Sequence, residues 1–287
     1  MENETLKDTV IIYHGNGCRD GFGAAYAAWK KYGEEASYIP QTDRDNPPEG
    51  LIDKNIFIVD FSFDKQTLQK LEETNRSVMV IDHHQSAQAD VESFPGNIFD
   101  NGHSGAVLAW HYFHPGVAVP ELLLQVEDHD LWQFKMPDNR DYNTAIGLYP
   151  MDFKTWDLMV EKLADPKERH AFISKGNLVA RFENNLVNKI LQYKERVRFE
   201  GHEVWAINAE RTYRSIIGNR LAGLNLENKQ IPIGIVYYRY GGAVHVSLRS
   251  HGDVDVAEMA KKYGGGGHRN AGALRVNSFA ELPFEFI

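Results

Sequence analysis

The chain has one cysteine, Cys18, in 287 residues. No internal disulfide is possible, and a reducing, cytoplasmic compartment is the default expectation. Long hydrophobic runs are also missing: no apolar stretch approaches the ~20 residues of a membrane span. The first residues, Met1-Glu2-Asn3-Glu4-Thr5, are acidic and polar, which argues against a secretory signal. Positive charge is in deficit. Lys and Arg number 31 against 40 Asp and Glu, a net charge of −9. Proteins that grip long nucleic acid by its phosphates carry a basic surface, so binding of long duplexes is not expected. Short or small phosphorylated substrates remain open, because metal ions can neutralise an acidic site locally.

What is present points to a folded α/β protein. Apolar residues make up 43% of the chain and aromatics 11%, enough for a packed core and against disorder. Val10-Ile11-Ile12-Tyr13 reads as a buried first strand. It ends in the Gly-rich turn His14-Gly15-Asn16-Gly17-Cys18-Arg19-Asp20-Gly21, and an Ala-rich helix is expected over 22–32. This places His14, Cys18 and Asp20 in a strand-to-helix loop. A short strand is expected at 37–40, a second apolar strand over Asn55-Ile56-Phe57-Ile58-Val59-Asp60, and a helix at about 64–73. Ser77-Val78-Met79-Val80-Ile81 is another strand, and it runs into Asp82-His83-His84. Strands alternating with helices, three of them ending in His or Asp, predict a parallel sheet of βαβ units with a site across the strand ends.

Further along, 85–103 reads as a loop and 104–113 as a helix with Ser104 as N-cap. A helix beginning at Pro120 runs into Glu127-Asp128-His129-Asp130, and 152–193 is mostly helical. Gly201 marks a break between domains. Beyond it, strands are expected at 203–208, 231–240, 243–250 and 273–276 and helices at 216–224 and 254–263, with a hairpin at Gly241-Gly242. Gly264 to Gly272 reads as a loop. The second part is therefore a small α+β domain.

Four places supply metal-ligand side chains: His14/Cys18/Asp20, Asp60, Asp82/His83/His84 and Asp128/Asp130. Imidazole with several carboxylates suits an ion such as Mn²⁺ better than Ca²⁺, and carboxylates can bridge two ions. Each residue taken singly has an ordinary explanation. An Asp after a strand is commonly a cap or turn former, and a lone Cys is commonly a small buried residue. Joint placement at the mouth of one sheet shifts the reading toward chemistry for His14, Asp20, Asp60, Asp82, His83 and Asp128. His129 keeps the ordinary reading. In the second part, Gly264–Gly267 followed by His268-Arg269-Asn270 combines exposed backbone N–H groups with a cationic fork, a combination that suits a phosphate. Arg249 at a strand end could add a second guanidinium.

These motifs together resemble the DHH/DHHA1 phosphoesterase family. The acidic and histidine motifs come in order, and Gly265-Gly266-Gly267-His268-Arg269-Asn270-Ala271-Gly272 matches the family's Gly-Gly-Gly-His-x-x-Ala signature. The resemblance implies an N-terminal parallel-sheet domain over 1–180, a helical linker over 181–200 and a DHHA1 domain over 201–287, with an active-site cleft between the domains. It implies two divalent ions. His14 and Asp60 would hold the first, and Asp20, Asp60, His83 and Asp128 the second, with Asp60 bridging. Asp82 and His84 would be catalytic or orienting groups. Arg249, Gly265, Gly266, Gly267, His268 and Arg269 would bind substrate. The family's first motif reads His-x-x-x-Asp-x-Asp, and Cys18 stands where the first Asp is expected. Mn²⁺ is the expected ion, and Cys18 makes Zn²⁺ or Fe²⁺ alternatives. Stand-alone two-domain members resemble nano-RNases. The activity implied is metal-dependent hydrolysis of short single-stranded oligonucleotides or dinucleotides to mononucleotides. The alternatives are a phosphatase on nucleotides of the 3′-phosphoadenosine 5′-phosphate type and a non-catalytic nucleotide-binding protein. A homodimer is a further expectation.

Overall fold

A computed structural model describes residues 6–287, apart from the side chain of His268. The acidic start, Met1–Thr5, lies outside the described residues. The chain divides into two compact units, Met1–Ala180 and Arg181–Ile287.

The first unit is built on β1 (Thr9–His14), α1 (Arg19–Tyr32), β2 (Ala36–Gln41), β3 (Asn55–Val59), α2 (Lys65–Thr74), β4 (Ser77–Asp82), α3 (Gln88–Glu92) and β5 (Ile98–Phe99). The strands form one parallel sheet in the order β2-β1-β3-β4-β5. This is the parallel α/β sheet that the sequence predicts. Its central strands are continuous apolar runs because both faces are covered. Ile11, Val59 and Ile81 face a core with Tyr26, Trp110 and Trp156. Val10, Ile12, Ile56, Ile58 and Val80 face the opposite core, with Phe63 and Leu68. Helices α4 (Gly105–Phe113), α5 (Glu121–Asp130), α6 (Asn139–Ile146) and α7 (Phe153–Leu163) complete the unit. Gly23 lets α1 and α4 approach closely, since a Cβ there would sit 2.8 Å from that of Ala106. The stretch 85–103, read as a loop from sequence, carries the short α3 and β5.

Helix α8 spans Pro166–Ile190. The second unit then follows as β6 (Glu195–Phe199), β7 (His202–Asn208), α9 (Arg214–Glu227), β8 (Ile233–Tyr240), β9 (Ala243–Ser250), α10 (Val256–Lys261), β10 (Gly266–His268), β11 (Ala271–Val276) and β12 (Phe284–Phe286). Its seven-stranded sheet has the order β10-β11-β9-β8-β7-β6-β12. Only the β7–β8 pair is parallel. Val204, Ile235, Val246 and Leu248 line one face. Ile207 and Val236 pack on the other with Ile217 and Leu221 of α9.

Three local expectations need correction. Residues 195–199 are a strand of the second sheet rather than part of a helical linker, because Val197 and Phe199 alternate inward and are fully buried. Gly201, at φ +79°, makes the β6–β7 hairpin turn rather than a domain break. The glycine run is not an open loop either. Gly266–His268 pairs antiparallel with Ala271–Gly272–Ala273, leaving Arg269-Asn270 as the turn.

Candidate active site

The site grows from three strand ends of the parallel sheet. His14 is the last residue of β1, Asp60 follows β3 directly, and Asp82 closes β4 with His83 and His84 behind it. The order β2-β1-β3 reverses direction at β1 and β3, the switch point where open α/β sheets open a crevice. Cys18 is the N-cap of α1: its Sγ accepts the Gly21 N–H at 3.4 Å. Asp20 lies in the first turn of α1 rather than in the loop. Gly21 is required there, since a Cβ would meet the His14 carbonyl oxygen at 2.2 Å.

Asp60 is the centre of the cluster. It is buried and sits at φ +54°, a sparsely populated conformation for a non-glycine residue, held by its N–H to the Ile81 carbonyl. Its Oδ2 lies 3.6 Å from His14 Nδ1 and 3.7 Å from Cys18 Sγ. Its Oδ1 lies 3.1 Å from His83 Nε2 and 3.9 Å from His84 Nδ1. His83 Nε2 in turn lies 3.4 Å from Asp20 Oδ2 and 3.7 Å from Asp130 Oδ2. Ligand atoms thus gather as His14/Cys18/Asp60, Asp60/His83/His84 and Asp20/His83/Asp130.

The N-terminus of α4 supports this cluster in a way that motif reading missed. The backbone N–H groups of Gly105 and Ala106 donate to the two Asp20 oxygens at 2.7 and 2.9 Å. They bring the positive end of a nine-residue helix against a buried carboxylate. Gly105 also makes room, for a Cβ there would sit 2.4 Å from that of Asp60. The signal in the sequence is the Ser104-Gly105-Ala106 helix start, whose small residues leave space for the neighbouring acid.

Asp128 does not join the cluster; Asp130 takes that place. The Asp128 carboxylate accepts from the Lys135 and Met136 N–H groups at 2.8 and 3.1 Å, which commits both oxygens to the following loop. His129 keeps an ordinary role beside Phe134 and Trp132, and burial pushes its pKa down. Asp82 orients its neighbours. Its Oδ1 accepts from the His83 and His84 backbone N–H groups at 2.8 and 3.2 Å and lies 2.7 Å from His84 Nδ1.

The electrostatics are those of a site short of positive charge. Burial and the nearby Asp60 and Asp130 push the Asp20 carboxyl well above the usual carboxylate range. Burial and Asp60 likewise raise Asp130. Burial also opposes the Asp60 charge, but the His14 and His83 rings outweigh it and hold Asp60 low. Burial disfavours a charged His83, yet Asp60, Asp20 and Asp130 together raise its pKa to about 9. Cys18 is pushed far up by burial and by Asp60. Two buried polar atoms of the cluster, His14 Nδ1 and the acceptor Asp60 Oδ1, have no hydrogen bond of good geometry. Three crowded carboxylates, with Asp60 Oδ1 left unbonded, form a ligand set that fits divalent cations, and a mixed N/O/S set suits transition ions.

In the second unit, Arg249 is turned onto α9. Its Nη2 donates to Ser215 Oγ at 2.8 Å and its Nη1 to the Leu248 carbonyl at 2.9 Å. Burial and the like charge of Arg214 lower its pKa, as expected where two guanidinium groups crowd together. Arg269 instead reaches Asp253, at 3.0 Å to its carbonyl and 3.2 Å to its carboxylate. The signature glycines make room for backbone. A Cβ on Gly265 would meet the Ala273 carbonyl oxygen at 2.2 Å, and one on Gly267 the Ala271 carbonyl oxygen at 2.3 Å. Gly266 faces open space. The predicted role of the His268 side chain lies outside the described residues.

Comparison with known proteins agrees with this architecture. Residues 209–283 match the DHHA1 domain. The chain is 30% identical to uncharacterized protein R106 of Acanthamoeba polyphaga mimivirus, over 96% of this chain and 69% of that protein. It is 26% identical to the oligoribonuclease NrnB of Bacillus subtilis, over 77% of this chain and 59% of NrnB. The chain thus spans only about three fifths of NrnB. The fold is shared with PggH of Vibrio cholerae, a pGpG-specific phosphodiesterase, at a TM-score of 0.53 and 16% identity, covering 94% of this chain and 93% of that one. Parallel sheet, second sheet, ordered His and Asp motifs and matched domain together show that the chain belongs to the DHH/DHHA1 phosphoesterase family, hydrolases that act on phosphoester bonds.

Proposed function

We propose that this protein is a metal-dependent phosphodiesterase that cleaves short single-stranded oligonucleotides or dinucleotides to mononucleotides. The observation that carries the reading is the convergence of His14, Asp20, Asp60, His83 and Asp130 at the ends of adjacent parallel strands, with Asp60 shared between neighbouring ligand groups. His14, Cys18 and Asp60 would hold one divalent ion, and Asp20, His83 and Asp130, with Asp60, a second. Such ions, when bound, lower the pKa of water and stabilise charge on attacking and leaving oxygens of a phosphoryl group. Mn²⁺ suits the carboxylates and imidazoles, and the Cys18 sulfur also admits Zn²⁺ or Fe²⁺.

The chain's own residues do the rest. Asp82 fixes the turn that carries His83 and His84 and holds the His84 ring by Nδ1. His84 Nε2 is then the atom that can hand a proton to the leaving oxygen. Burial and the neighbouring carboxylates set the charge state of His84, and the carboxylates prevail and raise its pKa, in keeping with a proton donor. Arg249 offers a planar cation for a substrate phosphate. NrnB, an oligoribonuclease by name, supports the short nucleic-acid class, and so does the net charge of −9. Among the described residues no helix is long and apolar enough to cross a membrane.

The test is a substrate panel of RNA and DNA dinucleotides, short oligomers and a bisphosphorylated nucleotide, assayed with Mn²⁺, Mg²⁺, Zn²⁺ and Fe²⁺ in turn. Release of mononucleotides, abolished by Asp60→Ala, is the expected result. Faster release of inorganic phosphate from the bisphosphorylated nucleotide would replace this reading with a phosphomonoesterase. Nucleotide binding without turnover under any ion would replace it with a sensor.

A further inference from the structure

One feature beside the site is not accounted for by ligand chemistry. Directly after Asp130, the chain exposes Trp132 and Phe134, at 66% and 44% of their surfaces. The other four tryptophans are buried or half-buried. The two rings meet edge to face, with centroids 4.8 Å apart. Both residues have left-handed backbones, φ +58° for Trp132 and +51° for Phe134, a region that bulky residues rarely adopt. Strain of this kind persists only where the surroundings impose it.

Asp128 imposes it. Its carbonyl accepts the N–H groups of Gln133 and Phe134, and its carboxylate accepts those of Lys135 and Met136. Four successive amides are thus drawn onto one residue, and the intervening side chains are forced outward. His129, with its pKa lowered by burial, backs both rings at centroid distances of 6.2 and 5.5 Å. The loop therefore spends backbone strain to hold two aromatic faces in water. The Trp132 Cα stands two residues, at most about 7 Å, from the Cα of Asp130, whose carboxylate belongs to the ligand cluster.

We propose that Trp132, supported by Phe134, is a stacking platform for a nucleobase of the substrate whose phosphate is held at the carboxylate cluster; this rests on the phosphodiesterase reading above. Every base has a π face, so such a platform selects nucleotides over other phosphoesters while tolerating any base sequence. It also assigns Asp128 a role as a positioning residue, since it shapes the loop and not the ion site.

The test compares wild type, Trp132→Ala and Trp132→Phe on a dinucleotide and on its abasic analogue, in which both bases are replaced by hydrogen. Tryptophan fluorescence is read in parallel during titration with adenosine 5′-monophosphate. Trp132→Ala should raise the dinucleotide KM roughly tenfold, the scale of one base–aromatic stack, with kcat and the abasic KM nearly unchanged. Trp132→Phe should restore most of the loss, and it should lack the mononucleotide-induced quench seen in wild type. An unchanged KM, or an equal rise on the abasic analogue, overturns the platform and leaves the phosphodiesterase intact. A dimer that Trp132→Ala dissociates without a change in KM assigns the rings to a protein contact and likewise overturns it. If wild type cleaves nothing, the phosphodiesterase reading falls. The quench then decides alone, with its loss in Trp132→Phe supporting the platform and its absence in wild type overturning it.

Discussion

The two units use their signature residues in opposite ways. In the first, His14, Asp20, Asp60, His83 and Asp130 matter for the charge and lone pairs they crowd around the buried Asp20 and Asp60. In the second, Gly265, Gly267 and Gly272 matter because they have no side chain. A Cβ on any of them would lie within 2.5 Å of a carbonyl oxygen on a neighbouring segment. A crowded carboxylate cluster favours a cation, whereas a glycine hairpin paired at the edge of its sheet needs no ligand. The first unit stores its function in electrostatics, and the second stores part of its signature in packing.

The sharpest way to break this comparison is Asp60→Ala. It should lower activity by roughly 10³-fold, the several kcal/mol that metal chemistry supplies. In EDTA the melting temperature should fall only modestly, because His14 and His83 lose the charge they hold below the ordinary carboxylate range while repulsion with Asp20 and Asp130 is relieved. A large loss of stability in EDTA would show that Asp60 is structural. Next in size are the two acids of α5, which should separate cleanly. Asp130→Ala should weaken metal affinity at least tenfold with little change in stability, as read by metal titration. Asp128→Ala should keep the metal stoichiometry but cost about 3–6 kcal/mol in urea unfolding, at roughly 1.5–3 kcal/mol for each of two lost hydrogen bonds to a charged group. Equal effects on metal affinity would return Asp128 to the cluster.

Gly267→Ala should destabilise the second unit by about 1–3 kcal/mol, since φ is +139° there and the carbonyl of Ala271 cannot yield. Metal content should be unchanged. The smallest effect is expected from Arg249→Lys, which keeps the charge but loses the planar fork. The dinucleotide KM should rise roughly tenfold, with only a small fall in melting temperature for the lost bonds to Ser215 and the Leu248 carbonyl. An unchanged KM would remove Arg249 from substrate binding.

Much of this was legible in the chain. Strands β1, β3 and β4 are apolar runs that end in His or Asp, so the sheet and the three strand-end contributions to the site follow from residue order. The choice between Asp128 and Asp130 did not follow from motif spacing. The two are 200° apart on a helix of 3.6 residues per turn, so only one can face the cluster. Burial patterning would have favoured the wrong one, since Asp128 is among the buried residues of α5 and Asp130 is the exposed one. The glycine run misled because flexibility and close packing use the same residue. Only the pairing of Gly266–His268 with 271–273 distinguishes a hairpin from a loop.

By itself the sequence determined the α/β character, the parallel sheet, the family and the identity of most candidate ligands, because these depend on local periodicity and on which side chains end each strand. Tertiary structure alone decided that Asp130 rather than Asp128 meets His83, that the α4 N-terminus holds Asp20, and that Trp132 stands exposed beside the site. Each of these depends on the rotation of one element against another, or on which backbone amides a carboxylate finds, and those contacts arise only once the chain has packed.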